Sequence, residues 1–186
     1  MTSFVERMIG AAKLDVQIYE EVEADKTATG QAMMVVVLTA IMSGVAQLST
    51  NGVAGMIGGA IGELFGWLVW AFLTFIIGTK LLPEPDTKSD MGELLRTIGF
   101  ASAPGILYVL GAVPAVGPIL TLLIWCWTIA AFVVAVRQAL DYKSTGRAIA
   151  VVLIGGVVYA VVIFFVVAMI VAAIVAAGIA AGGASN

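Results

Sequence analysis

Long apolar stretches alternate with short polar ones along the whole chain, and the lengths of the apolar stretches suit a lipid environment. A hydrocarbon core about 30 Å thick takes roughly 20 residues of helix to cross. Five stretches approach or exceed that length: residues 32–49, 57–82, 97–113, 118–136 and 148–180. The first is short but uncharged, the second carries one acid, Glu63, and the last is longer than a crossing requires, its surplus taken up by tilt or protrusion. Turn-forming residues separate them: Ser49-Thr50-Asn51-Gly52, Pro83-Glu84-Pro85-Asp86, Pro114 to Pro118, and Asp141 to Gly146. Ahead of the first stretch, Phe4, Val5, Met8, Ile9 and Ala12, then Ile18, Tyr19 and Val22, recur at helical spacing among acids. Residues 3–24 are read as one or two short amphipathic helices, lying near the membrane surface or packed on the bundle. The expected fold is all-α: a polytopic transmembrane bundle of five spans behind a short amphipathic segment, with residues 1–186 forming one membrane domain.

The basic residues fix the expected topology. Arg7, Lys13 and Lys26 precede the first span; Lys80, Lys88 and Arg96 lie between the second and third; Arg137, Lys143 and Arg147 lie between the fourth and fifth. The remaining loops and the tail have none. Lys and Arg collect on the cytoplasmic side, so the N-terminus is expected inside and the C-terminus outside. Every acid except Glu63 falls on the same side as the bases. Residues 97–136 carry no charge, and the charge pattern there allows either two full spans or a re-entrant hairpin bent at Pro114 and Pro118.

Composition narrows the chemistry. Of 186 residues, 61% are hydrophobic and only 11% charged, against about a quarter charged in soluble domains. There is no histidine and one cysteine, Cys126, in an apolar run, so no zinc, haem or iron–sulfur ligand set can be assembled and no cofactor is expected. A net charge of −3 lacks the clustered basic surface that phosphates demand, so nucleic acid is not an expected partner. No nucleophile elbow, phosphate loop or metalloprotease helix occurs, and the chain is not read as an enzyme. The charged first thirty residues are unlike a cleaved secretory signal. Asp15, Glu20, Glu21, Glu23 and Asp25 read as a solvated acidic face.

Within the spans, small residues recur four apart. Gly58, Gly62 and Gly66, with Gly55 and Gly59, form overlapping G-x-x-x-G units, and Ala168, Ala172, Ala176, Ala180 and Ala184 repeat the spacing. Such faces let a neighbouring backbone approach closely, either within the bundle or across a homodimer seam. Glu63 is the only ionisable side chain inside a span and hence a candidate ion or proton site. Its separation from Lys80, about 25 Å along a helix, favours an interfacial, partly hydrated carboxylate instead. Trp67, Trp70, Trp125 and Trp127 lie toward the middle of their spans, where each indole N–H needs an acceptor. Pro104 is expected to kink the third span, with Ser102 and Gly105 beside it to accommodate the bend.

Several further segments, in this order, resemble the Yip1 family of small polytopic membrane proteins. They are Tyr19-Glu20-Glu21-Val22-Glu23-Ala24-Asp25 before the first span, Gly92-Glu93-Leu94-Leu95-Arg96 leading to Gly99-Phe100-Ala101-Ser102-Ala103-Pro104, the turn from Pro114 through Gly117 to Pro118, and Gly146-Arg147-Ala148. The stretch from Gly99 to Pro104 looks like the family's glycine–aromatic–proline signature, with Phe100 where tyrosine is common. The resemblance implies five spans, a cytosolic N-terminus and, in eukaryotic members, vesicle trafficking with Rab GTPases. This chain's N-terminal segment is short and its form is closer to prokaryotic members, so Rab binding is not carried over. The expected function is a non-enzymatic integral membrane scaffold that binds a protein partner through residues 1–30, 83–96 and 137–147, in membrane organisation or trafficking. Membrane lipid and a second copy of the chain are further expected partners, and the plasma membrane is the expected location if the source is prokaryotic. Two other readings stand beside it: a small transporter or channel using Glu63 and the third span, and a lipid-organising or curvature-sensing protein acting through its N-terminal helix.

Overall fold

A computed structural model describes residues 2–183. The amphipathic segment forms two helices, α1 (Phe4–Ala12) and α2 (Val16–Ala24). Ser3 starts α1 with a reciprocal capping box to Glu6, and the Asp15 carboxylate accepts from the Gln17 N–H at the start of α2, satisfying donors that helix starts leave open. Between them Leu14 turns the chain with φ of 64°. Asp25 ends α2 and its side chain caps a 3₁₀ turn, Lys26–Ala28, that leads into α3 (Thr29–Ala46).

The first span ends earlier than its hydropathy predicts. α3 stops at Ala46, and Gly52, with φ of 62° and ψ of −175°, breaks the start of α4 (Leu48–Ile76). A side chain at that φ would be strained, which is why the break falls on glycine. α4 closes in a π-helical turn, Ile77–Leu81, where the Leu82 N–H donates to the Ile77 carbonyl at 2.9 Å. α5 (Met91–Ala101) opens on a second capping box, Asp90 with Glu93. Pro104 does not bend a continuing α-helix. The α-helix ends at Ala101, and Pro104 sits at the start of a 3₁₀ helix, Ala103–Ala112, which carries the chain onward in a tighter coil. After a turn through Ala115, at φ of 67°, come α6 (Gly117–Ala139), a turn through Asp141, and α7 (Thr145–Gly183).

Five helical stretches are long and apolar enough to cross a membrane: Lys26–Ala46, Asn51–Leu81, Met91–Ala112, Gly117–Ala139 and Thr145–Ala177. Two of these, Met91–Ala112 and Gly117–Ala139, take in the uncharged region and are joined by a short turn. The chain is an all-α, polytopic membrane bundle, and among the described residues there is no strand.

α5 lies at the centre. Leu94, Ile98, Phe100 and Ala101 are buried, together with Arg96 and Thr97, and α2, α3, α4 and α6 surround them. The crossing of α5 and α3 is close at Gly99, where an added Cβ would stand 2.7 Å from the Ala32 Cβ. By contrast, the later part of α7 buries almost nothing: Phe164, Met169, Ile174 and Ile179 are all well exposed. Apolar exposure of this kind is favourable against lipid tails. The helix, 39 residues long, extends about 58 Å, well past one hydrocarbon thickness.

Candidate functional site

The charged segments meet at one end of the bundle. Arg7, 2% exposed, forms ion pairs with Glu21 and Asp25, both at 2.8 Å, and its Nη1 donates to Gln31 Oε1 at 3.0 Å. Glu21 also accepts from the Thr2 hydroxyl at 2.6 Å. Hydrogen bonds from Thr2 and Arg7 hold the Glu21 carboxyl below its ordinary range, and those from Thr27 and Arg7 bring Asp25 down to about 2.

Arg96 reaches from α5 to the end of α2. Its Nε donates to the Val22 carbonyl at 3.0 Å and the Glu23 carbonyl at 3.1 Å, and its Nη2 donates to Glu23 as well. A guanidinium on the last carbonyls of a helix satisfies acceptors and opposes the negative end of the dipole. The Glu23 side chain fares differently. Burial, with Glu93, Asp141 and Glu20 nearby, pushes its carboxyl up to about 7.

A second knot ties the two remaining polar loops. The Tyr142 hydroxyl lies 2.9 Å from the Gly78 carbonyl and 2.7 Å from that of Leu82, at the end of α4. Burial pushes its phenol up to about 12. Glu84 accepts from the Lys143 and Ser144 amides at 2.9 and 3.3 Å and pairs with Arg147 at 3.5 Å. Arg147 also donates to the Pro83 carbonyl, and Lys143 pairs with Asp86. Together the two knots make one polar cap.

Along α4 the bundle holds a cavity of about 800 Å³. Glu63 lines it, with the hydroxyl-bearing Thr39, Ser102, Tyr108, Thr128 and Tyr159 and the indoles of Trp67, Trp70 and Trp125. Trp70 stacks near Phe132 and Tyr159, at ring separations of 5.7 and 5.3 Å. A separate cavity of about 570 Å³ contains Gln47, Tyr108 and Gly111.

The residues singled out by spacing fall in distinct places. Gly59, Gly62 and Gly66 line the larger cavity. At Gly58, Gly59 and Gly62 an added Cβ would meet nothing within 4 Å, whereas at Gly66 it would stand 2.5 Å from the Tyr159 hydroxyl. Gly55 faces only Asn51 of its own helix. Ala168, Ala172 and Ala176 lie on the exposed part of α7; Ala184 and the side chain of Ala180 lie outside the described residues. Of the signature stretch, Gly99, Phe100 and Pro104 are buried at the centre, while Pro114 and Pro118 are exposed and Gly117 is buried at the turn. Trp67 donates to the Leu95 carbonyl at 3.1 Å and Trp127 to the Ala12 carbonyl at 2.7 Å. Hydropathy gives no sign of Arg7 or Arg96 as buried cap residues. The signals in the sequence are the excess of acids over bases in the first thirty residues, for Arg7, and the place of Arg96 in the Gly92–Arg96 segment.

A family model described as Yip1 domain matches residues 17–166. No curated protein and no solved structure matches the chain.

Proposed function

The chain belongs to the Yip1 domain family, and from that premise we propose that it is a non-enzymatic membrane scaffold that binds a protein partner through its polar cap. The observation that carries the reading is the convergence of segments 1–30, 83–96 and 137–147, far apart in sequence, on one end of the bundle. Arg96 holding α2, and Glu84 holding the Lys143–Arg147 loop, make that end a defined surface. A preordered surface loses little entropy on binding. The distribution of Lys and Arg supports a cytoplasmic cap and N-terminus, with the C-terminus outside. The stretch matched by the family model and the shared core support treating residues 1–186 as one domain. The open faces at Gly58, Gly59 and Gly62 and the exposed Ala168, Ala172 and Ala176 leave room for a second copy of the chain.

A photo-reactive residue in place of Glu20, Lys26 or Lys88, all exposed on the cap, tests the proposal in native membranes. Light should join the same heavier protein to all three positions and not to the same probe at Phe164 or Ile174. No adduct from any cap position overturns the reading.

A further inference from the structure

We infer that α1 is set into the cap-side leaflet of the membrane, with one side on the bundle and a second, apolar side covered by lipid acyl chains. The residues of α1 divide by what they meet. Arg7 and Ala11 are buried, and Phe4 rests on Phe100 with 6.4 Å between ring centres. At about 100° per residue, the next positions round the helix are Met8 and Ala12, both half-buried, and then Val5 and Ile9, which are exposed although apolar. Lys13 and Glu6 follow, both exposed. Beyond them Gly10 faces α2, where an added Cβ would stand 2.5 Å from Ile18. A protein side, an apolar side and a charged side, in that order, suit a helix lying in a membrane interface. A helix in water has no use for the second.

What covers Val5 and Ile9 is decided by where α1 meets the spans. The Trp127 indole N–H donates to the Ala12 carbonyl at 2.7 Å, and Trp127 stands well before the end of α6 at Ala139, about 18 Å along the axis. Arg137 is the first charged residue on the way to that end. α1 therefore joins α6 inside its apolar run and not at its charged end. Trp127 is itself partly exposed, and Leu123, one turn farther from the cap on the same side of α6, is exposed as well. In a membrane-spanning helix such a side faces lipid tails. Ala12 belongs to the apolar side of α1, so that side adjoins the lipid-facing side of α6 and continues it. The charged residues at its border are provided for. Glu6 accepts from the Ser3 amide at 2.7 Å, Asp15 accepts from the Gln17 amide at 3.0 Å, and the stem of Lys13 can carry its ammonium up to the headgroups.

Electron paramagnetic resonance of the full chain in phosphatidylcholine nanodiscs, which leave both membrane faces open, tests the inference. On a Cys126→Ser background a nitroxide is attached at Val5→Cys, Ile9→Cys, Leu123→Cys or Lys88→Cys, all exposed positions. Its relaxation by oxygen, which concentrates among acyl chains, is compared with its relaxation by a nickel chelate, which stays in water. At Val5 and Ile9 oxygen should outweigh nickel at least about threefold, as at Leu123, and Lys88 should show the reverse. Nickel outweighing oxygen at Val5 and Ile9 overturns the inference, because the face is then in water. Poor access of both reagents also overturns it, because the face is then covered by protein. So does a label at either position that lowers the thermal midpoint, since a face on lipid has room for one. The cap proposal stands apart: its probes at Glu20, Lys26 and Lys88 lie off this face, and either reading survives the failure of the other.

Discussion

Two buried arginines hold the cap, and they do so against different partners. Arg7 neutralises two carboxylates, so Arg7→Met would leave Glu21 and Asp25 facing each other without a cation. Breaking a buried pair from one side costs about 3–5 kcal/mol, and the partial exposure of Glu21, at 30%, puts the expectation at the low end. A drop in the thermal midpoint, with earlier proteolysis of the first 25 residues, would confirm it; an unchanged midpoint would refute it. The Glu23 carboxyl has the opposite character. Its folded pKa, about 7, lies above its unfolded value, so its contribution to stability is complete at pH 4 and is lost as the pH rises through 7. Asp25, held down at about 2, contributes above the unfolded carboxylate range and loses its contribution only as the pH falls toward 2. Docking of α1 and α2 should therefore be tighter at pH 5 than at pH 8. Hydrogen exchange across residues 4–24 measures this, and Glu23→Gln should flatten the difference.

At the scale of elements, α2 is nine residues long, too short to be stable alone in water. It relies on its buried Tyr19 and Val22 and on the Arg96 bonds to its last turn. Arg96→Ala should speed amide exchange in α2 at least tenfold, at a cost of about 1.5–3 kcal/mol for charged hydrogen bonds, while exchange in α6 stays as it was. Glycines divide in the same way by what surrounds them. Gly58→Leu meets open space, and an isolated chain should tolerate it within about 0.5 kcal/mol, whereas Gly99→Leu drives into Ala32 and should prevent the α3–α5 crossing. Thermal scans of both variants in detergent separate the two cases. Spacing alone could not have drawn this distinction, because G-x-x-x-G describes one helix and says nothing of what lies opposite. Hydropathy read the existence of the helices well, for a span needs only length and apolarity. The turn residues 49–52 marked the break at Gly52, but hydropathy could not see the 3₁₀ coil after Pro104, which depends on local backbone conformation within an unbroken apolar run.

For the whole molecule, the location of the cap was legible in the nine basic residues, since they occupy three segments and those segments meet. The cavity was not: it is made by side chains from several helices, and only Glu63 stood out from its apolar surroundings. The arrangement can be checked on a Cys126→Ser background with one cysteine added at Lys88 or Val116. A membrane-impermeant reagent should reach Val116→Cys from outside and Lys88→Cys only after the membrane is opened; labelling of both from one side would contradict the topology. The bond from Arg96 to the end of α2 spans 74 residues of sequence, and that from Trp127 to Ala12 spans 115. Synthesis proceeds from the N-terminus, so the first two helices must wait, unanchored, while two membrane crossings are inserted and the third begins. Sealing of the N-terminal segment is thus a late event in biogenesis. A quality-control protease that cuts only the unsealed segment would read from it whether the rest of the protein had arrived.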